Sequence, residues 1–215
     1  MKDKLDFYIN GQWTKPSTAE TIEVFNPSTE EVIGLISAGT KEDVNLAVRH
    51  AKEAFKTFSK TSPAERADYL KAIIEIYEKR MDEVATTVTE EMGAPLWLSQ
   101  VAQATTGLSH FIGTLKTLEN YQFERNSENY IERKEAIGVV GMITPWNWPM
   151  NQMCTKVASA IAAGCTMVLK PSEISPYCAI LLAEIIDEAG LPKGVFNLVN
   201  GYGPIAGAAL SENPD

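Results

Sequence analysis

From Thr40 onward the apolar positions fall into a helical period. Val44, Ala47, Val48, Ala51, Ala54 and Phe55 recur on one face, the spacing of a helix that lays a stripe against a core. Thr40 and Asp43 stand ahead of it as a near capping box, and Ser62-Pro63-Ala64-Glu65 is a fuller start signal, with Ser as N-cap, Pro at the first helical position and Glu three residues after the cap. It predicts a helix from Ala64 to Lys79. Gly93 and Pro95 punctuate before another helix from Leu96 to Leu118. Ahead of Thr40 the pattern is shorter in period. Phe7 to Trp13 flank Asn10-Gly11, a dipeptide suited to the type I′ turn of a β-hairpin because both central residues take positive φ. The turn Asn26-Pro27-Ser28-Thr29 separates Thr21–Phe25 from Glu31–Ser37, where Val32, Ile33, Leu35 and Ile36 mark a further strand. Tyr121 to Arg133 is polar and aromatic around Asn126-Ser127-Glu128-Asn129, which suits a hairpin, an extended excursion or a solvated ribbon.

After Ala136 the chain alternates regularly. Strands are expected over Ile137–Thr144, Thr166–Leu169 and Gly194–Val199, and helices over Met150–Ala163, Ser175-Pro176 to Ala189, and Ile205–Leu210. Strict strand and helix alternation implies an α/β fold, a parallel sheet joined by right-handed crossovers.

Composition narrows the function. The chain has 215 residues and a formal charge of -9, from 28 acidic and 19 basic side chains. Such a surface repels phosphate backbones and anionic lipid heads, so neither nucleic acid nor membrane is expected as a partner. The first residues lack an apolar run of signal-peptide length, and the most apolar stretch, Val157 to Leu169, is shorter than a bilayer span and contains Gly164. A cytoplasmic location is the expectation. Cys154, Cys165 and Cys178 are odd in number with no CxxC spacing, and only His50 and His110 accompany them, so no disulfide framework and no metal site is expected.

In an open parallel sheet, ligands bind outside the carboxyl ends of the strands. Those positions are Thr144-Pro145-Trp146-Asn147-Trp148-Pro149, Lys170-Pro171-Ser172-Glu173, and Asn200-Gly201-Tyr202-Gly203-Pro204. An ammonium and a carboxylate at a strand end, Lys170 and Glu173, suit the hydroxyls of a nucleotide ribose, and the carboxylate repels a 2′-phosphate. The plain alternative is an exposed ion pair. Gly201, Gly203 and Gly207 allow close backbone approach at a helix start, although their G-x-G-x-x-x-G spacing, after the third strand, departs from the dinucleotide fingerprint. Asn147 sits on a stiff turn between two tryptophans and two prolines. It suits an oxyanion donor, or a turn asparagine bonding its own backbone, the commoner use of a lone Asn near Pro.

With these segments in order, the sequence resembles the aldehyde dehydrogenase superfamily. The resemblance is carried by Ile143-Thr144-Pro145-Trp146-Asn147-Trp148-Pro149, Lys156, the run Ala162-Ala163-Gly164-Cys165-Thr166-Met167-Val168-Leu169-Lys170-Pro171-Ser172-Glu173, Gly190-Leu191-Pro192 with Gly194-Val195-Phe196-Asn197, and Gly201-Tyr202-Gly203-Pro204. Earlier, Ile9-Asn10-Gly11-Gln12-Trp13, Asn26-Pro27-Ser28-Thr29 and Glu90-Glu91-Met92-Gly93-Ala94-Pro95 add to it.

The resemblance implies a Rossmann-like sheet with crossover helices, incomplete in this chain, preceded by the hairpin and the helical stretch. It places residues 1–120 with the cofactor-binding domain, 121–136 in the oligomerisation region, and 137–215 in the NAD-binding unit. It implies a cofactor site of Ile143, Thr144, Pro145, Trp146, Lys170, Pro171, Ser172, Glu173, Gly203, Pro204 and Gly207, binding NAD with NADP possible. Asn147 becomes the oxyanion side chain and Lys156 a lysine linked to proton relay. The implied reaction is oxidation of an aldehyde to a carboxylic acid through a cysteine thiohemiacetal, in a homodimer or homotetramer. The family's nucleophilic cysteine and general-base glutamate are expected beyond Asp215, which makes this chain a fragment, inactive alone. Trp148, Met150, Asn151 and Met153 either border the aldehyde channel or are plain core. Two rivals remain: a non-catalytic NAD-binding or regulatory module, and a structural subunit using the 121–133 ribbon as an added edge strand.

Overall fold

The computed structural model describes residues 3–215. Asn10 and Gly11 take φ of 54° and 70°, as a type I′ turn requires, and join β1 (Phe7–Ile9) to β2 (Gln12–Thr14). β3 (Thr21–Asn26) and β4 (Glu31–Ser37) form a separate antiparallel pair. Helices follow: α1 (Lys41–Phe58), α2 (Pro63–Lys79), α3 (Met81–Met92) and a short α4 (Leu96–Leu98). Full capping boxes start α1, from Thr40 and Asp43, and α2, from Ser62 and Glu65.

The single helix expected over Leu96–Leu118 is interrupted. A π-helical turn, Ser99–Gln103, separates α4 from α5 (Ala104–Leu118). Hydroxyls occupy carbonyls in and beside the widened turn: Thr105 donates to Val101 at 2.9 Å and to Ala102 at 3.0 Å, and Tyr77 donates to Ala104 at 3.0 Å. Such side-chain bonds compete with the regular helical ladder, and periodicity alone does not reveal them.

Next comes an exposed hairpin, β5 (Glu124–Asn126) and β6 (Ile131–Arg133), held by Arg133 bonding Glu124. The alternating part then runs β7 (Val139–Ile143), α6 (Pro149–Ala163), β8 (Thr166–Lys170), α7 (Pro176–Glu188) and β9 (Phe196–Leu198). The last helix starts earlier than the apolar pattern suggests. A π-helical turn, Gly203–Gly207, precedes α8 (Ala208–Ser211), with the amides of Ile205, Ala206 and Gly207 all donating to the Tyr202 carbonyl.

β7, β8 and β9 are parallel neighbours, which makes the unit Rossmann-like. The sheet as a whole is mixed, in the order β2-β1-β9-β8-β7. The amino-terminal hairpin, expected as a lead-in, joins this sheet through β1, which runs antiparallel to β9 with Tyr8 opposite Leu198. Buried Asn197 fastens it there. Its side-chain oxygen accepts from the Asn10 amide at 2.9 Å, and its amino group donates to the Met167 and Gly194 carbonyls at 3.1 and 2.8 Å. These partners lie far apart in sequence, so no local pattern encodes the pairing.

The alternation of a strand separates two cores. Tyr8, Met167, Leu169, Phe196 and Leu198 join a cluster with residues of α2, α3, α5, α6 and α7. Phe7, Ile9, Val168 and Val199 join the other, with residues of α1 and α8. Full burial of each large aliphatic side chain contributes roughly 1.5–3 kcal/mol, and strands β8 and β9 are buried throughout. No helix among the described residues is long and apolar enough to cross a membrane.

Candidate functional site

The carboxyl ends of β7 and β8, with the loop after β9, bring the expected residues together. A Cβ built on Gly207 would lie 3.9 Å from both the Ile143 Cδ1 and the Lys170 Cδ atoms, so the start of the last helix touches the ends of β7 and β8 at once. Ile143, Trp146, Ile205 and Tyr202 are exposed around this edge, an apolar rim at the mouth of a buried sheet. At Gly203 an added Cβ would meet nothing within 4 Å. The protein's own packing therefore makes no demand for glycine there, and the space above it is open. Gly201 is different. Its φ is +153°, and a Cβ would stand 2.8 Å from that of Ala206 and 3.0 Å from the Gly39 backbone, so glycine is required to turn the chain.

Lys170 is 3% exposed, and its ammonium lies 3.2 Å from the Glu173 carboxylate. The lysine end of the pair is shut away from water and needs an opposite charge to offset its desolvation, while Glu173 stays half-buried. The pair presents a fixed donor beside a fixed acceptor. Two further polar side chains near these strand ends have idle atoms. Thr144 is buried, its amide donating to the Lys170 carbonyl at 3.3 Å, while its hydroxyl has no partner among the described residues. Both side-chain polar atoms of buried Asn200 are likewise without one. Buried groups of this kind ordinarily find a partner, and here they point to polar ligand atoms or ordered water.

Pro145, Trp146 and Asn147 are exposed on the loop from β7 to α6. The Asn147 side-chain amide makes no hydrogen bond among the described residues, so it is not a turn asparagine bonding its own backbone. Its carbonyl accepts from the Gln103 side chain at 3.4 Å, a brace from the π turn that lies 44 residues earlier. Lys156 stands apart from this cluster. It lies on α6 and bonds back to Gln152, at 3.2 Å to the carbonyl and 3.3 Å to the side-chain oxygen. Met150 and Met153 are fully buried core, while Trp148 and Asn151 are half-buried, Asn151 bonding His110.

The helix start is less open to an anion than its glycines suggest, because Ile205, Ala206 and Gly207 already donate to Tyr202. Pro171, Ser172 and Glu173 form the loop after β8, where Ile174 donates to the Ser172 hydroxyl at 3.2 Å and Ser175 to its carbonyl at 3.3 Å. A residue that periodicity does not reveal supports that loop. Glu91, near the end of α3 and 1% exposed, accepts from the Tyr177 amide at 2.6 Å and the Cys178 amide at 2.8 Å. Burial pushes its carboxyl up to about 7, against the lowering effect of bonds from the Cys178 thiol and the two amides. Only its place in the Glu90-Glu91-Met92-Gly93 motif marks it in the sequence.

Cys154, Cys165 and Cys178 are free and buried. Burial pushes the Cys154 and Cys178 thiols up, Cys178 further through Glu91, which opposes the thiolate that a nucleophile needs. No group of His, Cys, Asp and Glu among the described residues could hold a metal ion.

The model of the aldehyde dehydrogenase family matches residues 13–215. A 3-succinoylsemialdehyde-pyridine dehydrogenase from a Pseudomonas species is 52% identical over the whole chain, which covers 45% of that protein. The crystal structure of an aldehyde dehydrogenase from Bartonella henselae superposes with a TM-score of 0.98 at 51% identity, covering 100% of this chain and 46% of that one. An aldehyde dehydrogenase C variant from Pseudomonas syringae, in complex with NAD+ and octanal, gives 0.97 at 44% identity, covering 98% and 44%. The chain thus spans about half the length of the relatives it matches.

Proposed function

Since this chain belongs to the aldehyde dehydrogenase family, we propose that the edge built from Ile143, Lys170 and Gly207 is the adenosine side of an NAD site in an enzyme that oxidises an aldehyde to a carboxylic acid. The observation that carries this is the buried Lys170 paired with half-buried Glu173 beside an open Gly203. Lys170 donates to a ribose hydroxyl and Glu173 accepts from one. The negative charge of Glu173 disfavours a 2′-phosphate, which selects NAD over NADP. Pro171 and Ser172 shape the turn that carries Glu173. Ile143, Pro204 and Ile205 offer apolar contact to a flat base, Gly203 admits close approach, and the idle Thr144 and Asn200 groups gain polar partners. Thr144, Pro145 and Trp146 line the way from there to Asn147. Bound NAD would supply the hydride acceptor.

Asn147 donates its unbonded side-chain amide to the oxyanion that develops when the aldehyde carbon becomes tetrahedral. Gln103 and the flanking prolines keep it aimed, so little reorganisation is needed during the reaction. Lys156, farther along α6, acts through proton movement. The three cysteines present are inert by burial, so the nucleophile and general base lie outside these 215 residues and the chain alone turns over no aldehyde. The β5–β6 ribbon serves as an added edge in a homodimer or homotetramer.

Calorimetric titration of NAD into the purified chain tests the first part. A saturable heat, weakened about tenfold by Lys170→Ala as one charged hydrogen bond is lost, is expected; a wild-type chain taking up no NAD would overturn it. In the whole enzyme, Asn147→Ala should lower kcat by about 10²–10³-fold with NAD affinity unchanged.

A further inference from the structure

We propose that Glu91 is a positioning residue for the nucleotide: by capping the first turn of α7 from α3, it holds the Pro171–Ser175 loop and so sets Glu173 opposite Lys170. This rests on the nucleotide reading above and adds to it the device that keeps the site in shape.

The geometry is specific. The loop runs from β8, in the middle of the parallel strands, to Pro176, which has no amide to donate. The next two amides, Tyr177 and Cys178, are the ones a helix start leaves over, and both donate to Glu91. The N-cap residue, Ser175, forms no capping bond, and its buried hydroxyl has no partner among the described residues. The far end of the loop is therefore anchored by a carboxylate that lies 86 residues earlier. Its near end is anchored by the β8 ladder and by the Lys170 carbonyl, which accepts from Thr144. Between these anchors the internal ties among the described residues are the two bonds to Ser172 and the Lys170–Glu173 contact itself.

A carboxylate serves both amides through two oxygens, whereas a protonated carboxyl has one good acceptor. Losing the charge loosens one of the two bonds, and the loop with it. The titratable groups around Glu91 are few. Cys178 and Tyr177 face it from α7 and Glu90 acts on it from α3, while Cys154 of α6 and Tyr77 of α2 bear on it through Cys178. Those thiols and phenols stay neutral near pH 7, burial raising each of them. Glu91 is thus the group in this cluster that changes charge near neutrality.

Hydrogen exchange and NAD titration of the wild-type chain and of Glu91→Gln test the idea together. The variant keeps the shape and removes the charge. It should speed exchange at Glu173, Ile174, Tyr177 and Cys178 about tenfold, the worth of roughly one hydrogen bond, with the α2 start unchanged, and weaken NAD by a similar factor. In the wild type, NAD affinity should rise with pH through about 7, and the variant should lose that step. Should the variant fail to fold, the Tyr177 and Cys178 amide resonances of the unmutated chain must still titrate with that midpoint. Wild-type exchange and NAD affinity in Glu91→Gln, or amide resonances that ignore pH between 5 and 9 (roughly two units either side of the Glu91 transition), would overturn the proposal. A wild-type chain with no NAD uptake would instead overturn the nucleotide reading, leaving the exchange comparison to decide whether Glu91 holds the loop.

Discussion

α2 starts at Ser62-Pro63 and α7 at Ser175-Pro176, and the two starts are satisfied by different means. At α2 the Ser62 hydroxyl accepts from the Glu65 amide at 3.2 Å, and the Glu65 carboxylate accepts from the Ser62 amide at 2.7 Å. Everything needed lies within four consecutive residues, in water. At α7 the third position after the cap is Cys178, which has no carboxylate to return, and Ser175 holds φ -133° and ψ 60° where Ser62 holds -69° and 157°. Its hydroxyl makes no cap, and Glu91 reaches in from α3 instead. The same dipeptide signals the same event, but its chemistry is local in one place and tertiary in the other. The environments also give the two carboxyls opposite character. Bonds to the Ser62 amide and hydroxyl hold Glu65 below its usual range, whereas burial pushes Glu91 up to about 7.

The most severe test of this contrast is Glu91→Ala, which takes the acceptor away from two buried amides. A loss of about 2–4 kcal/mol is expected in urea unfolding at pH 6, and a loss under 1 kcal/mol would mean that α7 has another cap. Ser62→Ala should cost about 1 kcal/mol in the same measurement. It removes one exposed cap bond and leaves solvent to replace it.

Stability measured against pH separates the two starts by sign rather than size. Glu91 favours its neutral form in the fold, so its contribution is fully present below about 4.5 and is lost as pH rises through about 7. Glu65 favours its charged form, so its contribution is present above its usual value and is lost as pH falls through the depressed one. Glu91→Gln should flatten the first limb and Glu65→Gln the second; the reverse assignment would break the comparison. Ser175→Ala should give the smallest change, within about 0.5 kcal/mol, since the hydroxyl it removes has no bond to lose.

The comparison also explains which parts of this molecule were readable in one dimension. Asn10-Gly11 prescribed its turn because both residues can take positive φ. The beads of apolar and polar positions after Ala136 prescribed β7 through β9 with their helices, because period and length are properties of consecutive residues. The positions after the strands pointed to Lys170 and the Gly201–Gly207 loop, because a parallel sheet exposes one kind of edge to a ligand, whereas Ile143 was marked only by the family resemblance. The π turn at Ser99–Gln103 was not readable, since it depends on Tyr77 and on threonine hydroxyls choosing carbonyls over water. Nor was the brace from Gln103 to Asn147.

What this sequence determined by itself were its turns, its helix and strand periods and the chemical character of its strand ends, all set by interactions among near neighbours. Tertiary structure decided that the first hairpin closes onto β9, that Lys170 is buried against Glu173 at its edge, and that Glu91 rather than Ser175 caps α7. Those outcomes depend on which polar groups are shut away from water together, and that is settled only when distant segments pack.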